Sequence, residues 1–576
     1  MAELAGNSAL FAARASRAVG EDNPDGMSRT FLGPMVEVDY SKKRFLIIDA
    51  LQEMRAAMNN TLSSFGVTKI EYAHRATEAV GMIKRSNYDI ILCDFDLGRG
   101  YDGLHLLEEI RLHNLVKPSA IFMIVTGERR SRMVISAAEM APDDYLLKPF
   151  TGEELKQRLD RIYRKKSSFE VLDAAMLNQD YFKALAECND RIEQKDPFVV
   201  DFLRMKGRIA LMIGDYALAR QTFEAVLAAR DIPWARMGLA KALFHLKEYP
   251  ESKRIFESLL AENDRIMEAY DWLAKIHQAE HHYQDAQGVL SRAVELSPAI
   301  VQRQKKLGEV AMKNGDFDTA KQAFMQTIQI AKYSFWRDAG DYMSLSKALL
   351  GSGEVMEAAK TAAEVRREFR ADQKAEMLAN LMECQIAIKQ GNNERAQQLL
   401  GKAKQSFQSA GASFPDQYVL ELAEACFRVG DEAEGGELVQ KVLKNHHEDP
   451  AVLERVAAVY DNVGLSDLGQ QLIEDNARAI VEVNNQAVRK AQAGDLEGAV
   501  ELFIHAVDEM PSNVQVMLNA VNALLAYVTR KGWHDEYMHL ANHYLERVRA
   551  LEPASMKYLK LRDAYALTKR RFRTAG

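Results

Sequence analysis

The sequence predicts an α/β doubly wound domain followed by an all-α superhelical solenoid. Three observations point there. Between residues 41 and 166, short continuous apolar runs alternate with helical stretches. From residue 184 onward, a small residue recurs about every 34 positions within continuous helical patterning. Proline is scarce, at 13 of 576 residues or about 2.3%, against a usual share near 5%. Proline interrupts helices and central strands, so a chain this poor in it is dominated by helical runs.

The elements follow in order. Residues 1–40, with Glu21-Asp22-Asn23-Pro24-Asp25-Gly26 and Gly33-Pro34, read as a flexible tail. Phe45-Leu46-Ile47-Ile48 is a short continuous apolar run, the mark of a buried parallel strand. A helix near 52–64 precedes a strand from Ile70 to Ala73. A helix near 75–86 leads into Ile90-Ile91-Leu92-Cys93. A helix over 102–113 precedes a strand from Ala120 to Val125. A helix over 129–139 precedes Tyr145-Leu146-Leu147, and a helix over 151–165 closes the unit at residue 166. Strand–helix alternation of this kind predicts a parallel sheet covered on both faces.

In such sheets ligands meet the carboxyl ends of the strands. Those ends carry Asp49 after the first strand, Asp94 after the third, Thr126 after the fourth and Lys148 after the fifth. Two carboxylates, a hydroxyl and an ammonium therefore converge on one edge. A lone acid at a strand end is usually structural; four complementary groups are a site.

The stretches FLIID (45–49), YDIILCDFDLG (88–98), DGLHLL (102–107), MIVTG (123–127) and DYLLKPF (144–150) resemble the receiver domain of bacterial two-component response regulators. The resemblance implies that Asp94 is the phosphoacceptor, taking a phosphoryl group from a sensor histidine kinase or phosphotransfer protein. It implies that Asp49, Asp94 and the carbonyl of Asp96 hold Mg²⁺. It implies that Thr126 and Lys148 bind the phosphoryl group, that Thr126 and Tyr145 form the switch, and that Lys148-Pro149 is a cis peptide. One departure stands out. The family carries two adjacent acids after the first strand, and here Ala50 replaces the second. Ala50 cannot bind a cation, which weakens the expected Mg²⁺ affinity; Asp96 and, less directly, Glu53 are the candidates to compensate. The loop from Gly98 to Gly103 lacks the familiar proline and is about one residue longer.

Beyond residue 166 no strand pattern appears. Loop-plus-helix signatures recur at Gly214-Asp215-Tyr216, Gly315-Asp316-Phe317 and Gly494-Asp495-Leu496. The small residue closing each unit gives the series Ala184, Ala219, Ser252, Ala286, Ala320, Ala358, Ala396, Gly435, Gly469 and Ala499. Its gaps are 35, 33, 34, 34, 38, 38, 39, 34 and 30 residues. A period of about 34 residues resembles the tetratricopeptide (TPR) repeat. The series predicts nine or ten helix pairs over 169–512, with lengthened helices or loops in the middle copies, and capping helices over 513–576.

Composition excludes other classes. Net charge is −7, with a balance of +4 in residues 41–166, so no basic footprint argues for nucleic acid. The longest apolar runs fall short of a membrane span. The four cysteines, Cys93, Cys188, Cys384 and Cys426, lack metal spacing and read as reduced buried thiols. His281-His282, His446-His447 and the set His534, His539 and His543 read as solvated side chains rather than metal ligands. Arg129, Arg130 and Arg132 mark the start of the fourth receiver helix, a face the family uses for output and for homodimers; they read either as a partner or intramolecular contact or as a solvated helix end.

The resemblance implies a cytoplasmic, non-enzymatic two-component response regulator. It would accept phosphate at Asp94 and regulate protein–protein interactions through its TPR region, its partner being another signalling protein. The alternative is a scaffold or adaptor whose degenerate receiver acts without phosphorylation.

Overall fold

The computed structural model describes residues 38–573 apart from 99–101, 114, 118, 128–141, 333, 335, 410–413 and 447–448. The expected helix over 129–139, with Arg129, Arg130 and Arg132, and residues 1–37 of the expected tail over 1–40 lie outside the described residues; Tyr40, at the end of that expected tail, is instead buried in a short 3-10 helix, Tyr40–Lys42.

The first part is a five-stranded parallel sheet. Its strands are β1 (Arg44–Ile48), β2 (Lys69–Ala73), β3 (Ile90–Cys93), β4 (Ile121–Thr126) and β5 (Asp144–Leu147), in the order β2-β1-β3-β4-β5. The described helices around it are α1 (Gln52–Ser63), α2 (Ala76–Arg85), α3 (Gly103–Leu112) and α4 (Gly152–Ser168). Side chains alternate across a strand, and the two faces collect different residues. Leu46, Ile48, Ile91, Cys93, Phe122 and Ile124 pack with α2 and α3. Phe45, Ile47, Ile90, Leu92, Ile121 and Met123 pack with α1 and α4. Both faces of β1, β3 and β4 are therefore buried, which is why these strands are apolar without alternation. The edge strands β2 and β5 carry Glu71 and Asp144 at partly exposed positions. The chain steps from β1 to β2 on one side and then to β3 on the other. That reversal opens a crevice at the carboxyl ends of β1 and β3.

An all-helical, TPR-like stretch follows. Phe169 separates α4 from the next helix, Glu170–Leu177, and stacks on Phe202 with ring centroids 4.2 Å apart. Lys165 pairs with Asp201 at 2.5 Å, and the Ser168 hydroxyl donates to Asp196 at 3.0 Å. The chain divides into two compact units between Asp338 and Ala339; the sheet and the first helical repeats share the first unit.

The recurring small residues are where helices approach. Ala184, Ala219, Ser252, Ala286, Ala320 and Ala358 are fully buried. Phe223 shows the fit: a Cβ added at Gly207 or Gly238 would stand 2.4 or 2.3 Å from its ring. The Gly-Asp loops also have a physical origin. Gly214, Gly315 and Gly494 adopt φ of +76°, +71° and +89°, a left-handed conformation that glycine takes without strain. The aspartate that follows caps the next helix, accepting from Leu218, Thr319 and Gly498 backbone N–H at 3.0, 3.1 and 2.9 Å.

Two of the three longest gaps, Ala358 to Ala396 and Ala396 to Gly435, follow from long helices. Helices Gln373–Lys389 and Asn393–Ser409 each have 17 residues, where Met267–Ala279, Tyr283–Leu296 and Phe317–Ala331 have 13, 14 and 15. The short gap between Gly469 and Ala499 is a departure from the expected pairing. One 27-residue helix, Ser466–Gln492, serves both repeats. Glycine is absent between 470 and 492 and proline with it, so nothing there ends a helix.

Candidate functional site

The sheet brings four predicted groups to its carboxyl edge. Ile48 and Cys93 are register partners, so Asp49 and Asp94 leave adjacent strands at the same level. The ladder continues one step past each strand: Asp94 N–H donates to the Ile48 carbonyl at 2.8 Å, and Asp49 N–H to Ala73 at 3.2 Å. Thr126 ends β4, is buried, and accepts at its carbonyl from the Lys148 N–H at 2.8 Å. Lys148-Pro149 is cis.

Lys148 joins the two acids. Its ammonium donates to Asp49 Oδ2 at 2.7 Å and to Asp94 Oδ2 at 2.8 Å. The three side chains are 14%, 8% and 13% exposed. Burial opposes the lysine charge, but the hydrogen bonds and attraction from Asp49 and Asp94 outweigh it and raise its pKa above the ordinary value. The other oxygen of Asp49 accepts from the Leu51 N–H at 2.8 Å.

Asp96 and Glu53 fall outside this cluster of carboxylates. The Asp96 carboxylate accepts from Gly98 N–H at 3.0 Å, while its own N–H donates to Asp94 Oδ1 at 3.4 Å. Glu53 is exposed on the first turn of α1, and Ala50 is exposed beside Asp49. Tyr145 pairs in register with Ile124. It therefore shares a sheet face with Thr126, one diagonal step along, and packs partly buried on the core beneath α2 and α3.

Three further residues pack around the acids. Arg55 is buried and donates to the Asp49 carbonyl at 2.5 Å. Cys93 is buried beneath Asp94, and burial followed by the Asp94 charge pushes its thiol well above the ordinary range. Gly103 starts α3 so close to the acceptor strand that a Cβ would stand 2.4 Å from the Asp94 carbonyl oxygen. Cys93 closes an apolar run and could be read from the strand end; Arg55 and Gly103 could not, because each acts on the backbone of a strand end that only the packed fold brings near.

Along its first two turns α3 also meets the segment that follows helix Phe317–Ala331. Ser334 donates a 2.7 Å hydrogen bond to Glu108. His105, held by Asp102 at 2.8 Å, also hydrogen-bonds the backbone of Ile330.

The donor set suits a hard divalent cation in kind, since carboxylates, a carbonyl and water are what Mg²⁺ takes. Asp49, Asp94 and the Asp96 carbonyl are the residues that would hold it. With Ala50 in the ordinary acid position, this chain supplies one carboxylate fewer.

A doubly wound sheet with an acidic edge, continued by helical repeats, defines a modular protein of one α/β domain and one repeat array. The response regulator receiver domain family model matches residues 45–160, and the tetratricopeptide repeat model matches 173–232 and 204–265. The chain belongs to the response regulator family. It is 31% identical over 122 residues to chemotaxis protein CheY-3 of Vibrio cholerae, covering 21% of this chain and 92% of that protein. It is 30% identical over 122 residues to chemotaxis protein CheY of Pseudomonas aeruginosa, covering 21% and 97%. It is also similar to the crystal structure of a tetratricopeptide repeat protein from Parabacteroides merdae. There the identity is 16%, the coverage 45% of this chain and 97% of that one, and the TM-score 0.30. Receiver and TPR domains are typically non-enzymatic signalling or scaffold modules, and receiver domains generally bind Mg²⁺ at the phosphorylation site. Among the described residues, no helix is long and apolar enough to cross a membrane.

Proposed function

We propose that this chain is a phosphorylation-controlled adaptor in a cytoplasmic two-component pathway. Asp94 accepts the phosphoryl group of a sensor histidine kinase or phosphotransfer protein. A carboxylate oxygen of Asp94 bonds to phosphorus as the phosphorus–nitrogen bond of the donor breaks, and the imidazole leaves. Such transfer depends on positioning and charge neutralisation. Lys148 is the cation already placed to do this, and its contact with both Asp49 and Asp94 is the observation that carries the reading. Bound Mg²⁺ supplies further neutralisation of the phosphoryl oxygens. Thr126 offers its hydroxyl to the phosphoryl group, and Tyr145 follows the Thr126 position.

In this reading residues 41–166 are the receiver, 169–512 the TPR output and 513–576 its cap. The output is a protein partner on the TPR surface, and a homodimer through the receiver is compatible with the same switch. The contact of α3 with Ile330 and Ser334 supports direct signalling from the receiver into the repeats. The loss of the second acid at Ala50 favours a second reading, a scaffold whose receiver docks without phosphorylation.

Incubation of the full chain with Mg²⁺ and acetyl phosphate, followed by intact-mass measurement, separates the two. The switch reading expects one phosphoryl group per chain, absent in Asp94→Asn. No adduct from acetyl phosphate or from a cognate kinase, together with no beryllofluoride binding, would establish the scaffold.

A further inference from the structure

We propose that the loop joining helices Met267–Ala279 and Tyr283–Leu296 holds a Zn²⁺-type cation through His277, Glu280 and His282. The potential ligand atoms of these three residues lie within 4.8 Å of one another. The His282 Nδ1 is 3.8 Å from Glu280 Oε2. A fourth ligand is at hand: Asp285 Oδ2 lies 3.9 Å from His277 Nδ1.

His277 is the residue that marks this loop as a site. Its side chain is only 7% exposed, yet its Nδ1 is buried with no hydrogen-bond partner among the described residues. An unsatisfied buried ring nitrogen costs free energy, and a metal ion is one group that would satisfy it.

The backbone organises the ligands before any ion arrives. His282 N–H donates to the His277 carbonyl at 2.8 Å, and His281 N–H to Gln278 at 3.0 Å.

Two imidazoles with one or two carboxylates suit Zn²⁺ rather than Mg²⁺ or Ca²⁺. Tetrahedral Zn²⁺ with bonds near 2.0–2.1 Å places its ligands about 3.3 Å apart. The His282 and Glu280 side chains are 59% and 29% exposed, so rotation of these two closes the remaining distance while buried His277 stays in place. With Asp285 the shell is complete, and the ion clips two helices of one repeat. This inference does not depend on the receiver chemistry, which lies elsewhere in the chain.

The test uses the full chain stripped with a chelator and titrated with Zn²⁺ against a chromophoric competitor. Co²⁺ serves as a second probe, read by the visible absorption of a tetrahedral nitrogen–oxygen site. The expected result is one tight equivalent, weakened at least tenfold by His282→Ala and by Glu280→Gln. Both positions are at the surface loop, so the fold survives where His277→Ala could damage packing. His281→Ala and Asp94→Asn, outside the proposed ligand set, should bind as the parent does. Absence of a tight equivalent in the parent, or its retention in His282→Ala, overturns the proposal.

Discussion

Ser334 donates a 2.7 Å hydrogen bond to Glu108, joining the helix that begins beneath Asp94 to the helical repeats. The same helix starts at Gly103, whose missing side chain lets it approach the Asp94 carbonyl. A rearrangement at the acid therefore has a short mechanical route to the repeats.

This pair should be energetically coupled. A hydrogen bond to a charged group contributes about 1.5–3 kcal/mol, less where water competes. Ser334→Ala and Glu108→Ala are each expected to destabilise the first unit by about 1 kcal/mol. The double variant should cost less than the two together, as contacting residues do. Strict additivity in a denaturant double-mutant cycle would show that the contact carries no energy.

Lys148 bridges two acids, Asp49 and Asp94. Lys148→Met leaves Asp49 and Asp94 facing each other without their cation, and loss of one partner of a buried pair costs on the order of 3 kcal/mol. The variant should be less stable at neutral pH in the absence of divalent ions and should not form the Asp94 adduct. The pH dependence has a definite sign. The Lys148 pKa is raised above 10.5 in the fold, so its stabilisation is complete below 10.5 and is lost as pH rises through the raised value. Alkaline thermal melts should show that loss in the parent and not in Lys148→Met. Ala50→Asp, by restoring the acid, should raise Mg²⁺ affinity in a titration.

Two glycines offer opposite outcomes. Gly238→Ala would put a Cβ 2.3 Å from the buried Phe223 ring. Overpacking costs about 1–3 kcal/mol, more than the gain of about 1 kcal/mol in helix propensity, so the variant should be destabilised. Gly288 sits exposed in its helix with nothing within 4 Å of an added Cβ. Gly288→Ala should stabilise by roughly 0.5–1 kcal/mol. Thermal denaturation of both variants checks the packing account; equal shifts would refute it.

In the second unit, His446 Nε2 pairs with Asp416 at 2.9 Å. That hydrogen bond, against burial, raises the His446 pKa above 6.5. Its contribution is complete below pH 6.5 and fades as pH rises through the raised value. The effect is small, about 1 kcal/mol or less for a partly exposed pair. His446→Gln should flatten the stability profile above pH 6.5, measured by denaturant midpoints; an unchanged slope would remove His446 as its source.

Much of this was legible in residues. Asp49, Asp94, Thr126 and Lys148 follow apolar runs, so their strand-end positions could be read before any fold was known. The buried small residues from Ala184 to Ala499 could be read too, because their spacing repeats. What could not be read depends on contacts distant in sequence. Gly103 and Arg55 pack around the acids through backbone approach. Ser334 reaches Glu108 across 226 positions. His277 was hidden inside an ordinary helical pattern, and only the turn of the loop brings it to His282. The continuous helix Ser466–Gln492 escaped because a marker series counts repeats, while helix ends are set by residues that break helices.

In the proposed switch, the state of Asp94 is read by the repeats through α3. Hydrogen exchange of the full chain with Mg²⁺, with and without beryllofluoride, tests it most directly. The account predicts altered protection in α3 and in peptides ending at Ser334, with no change in Asp94→Asn. A beryllofluoride adduct at Asp94 that leaves both segments unchanged would contradict it.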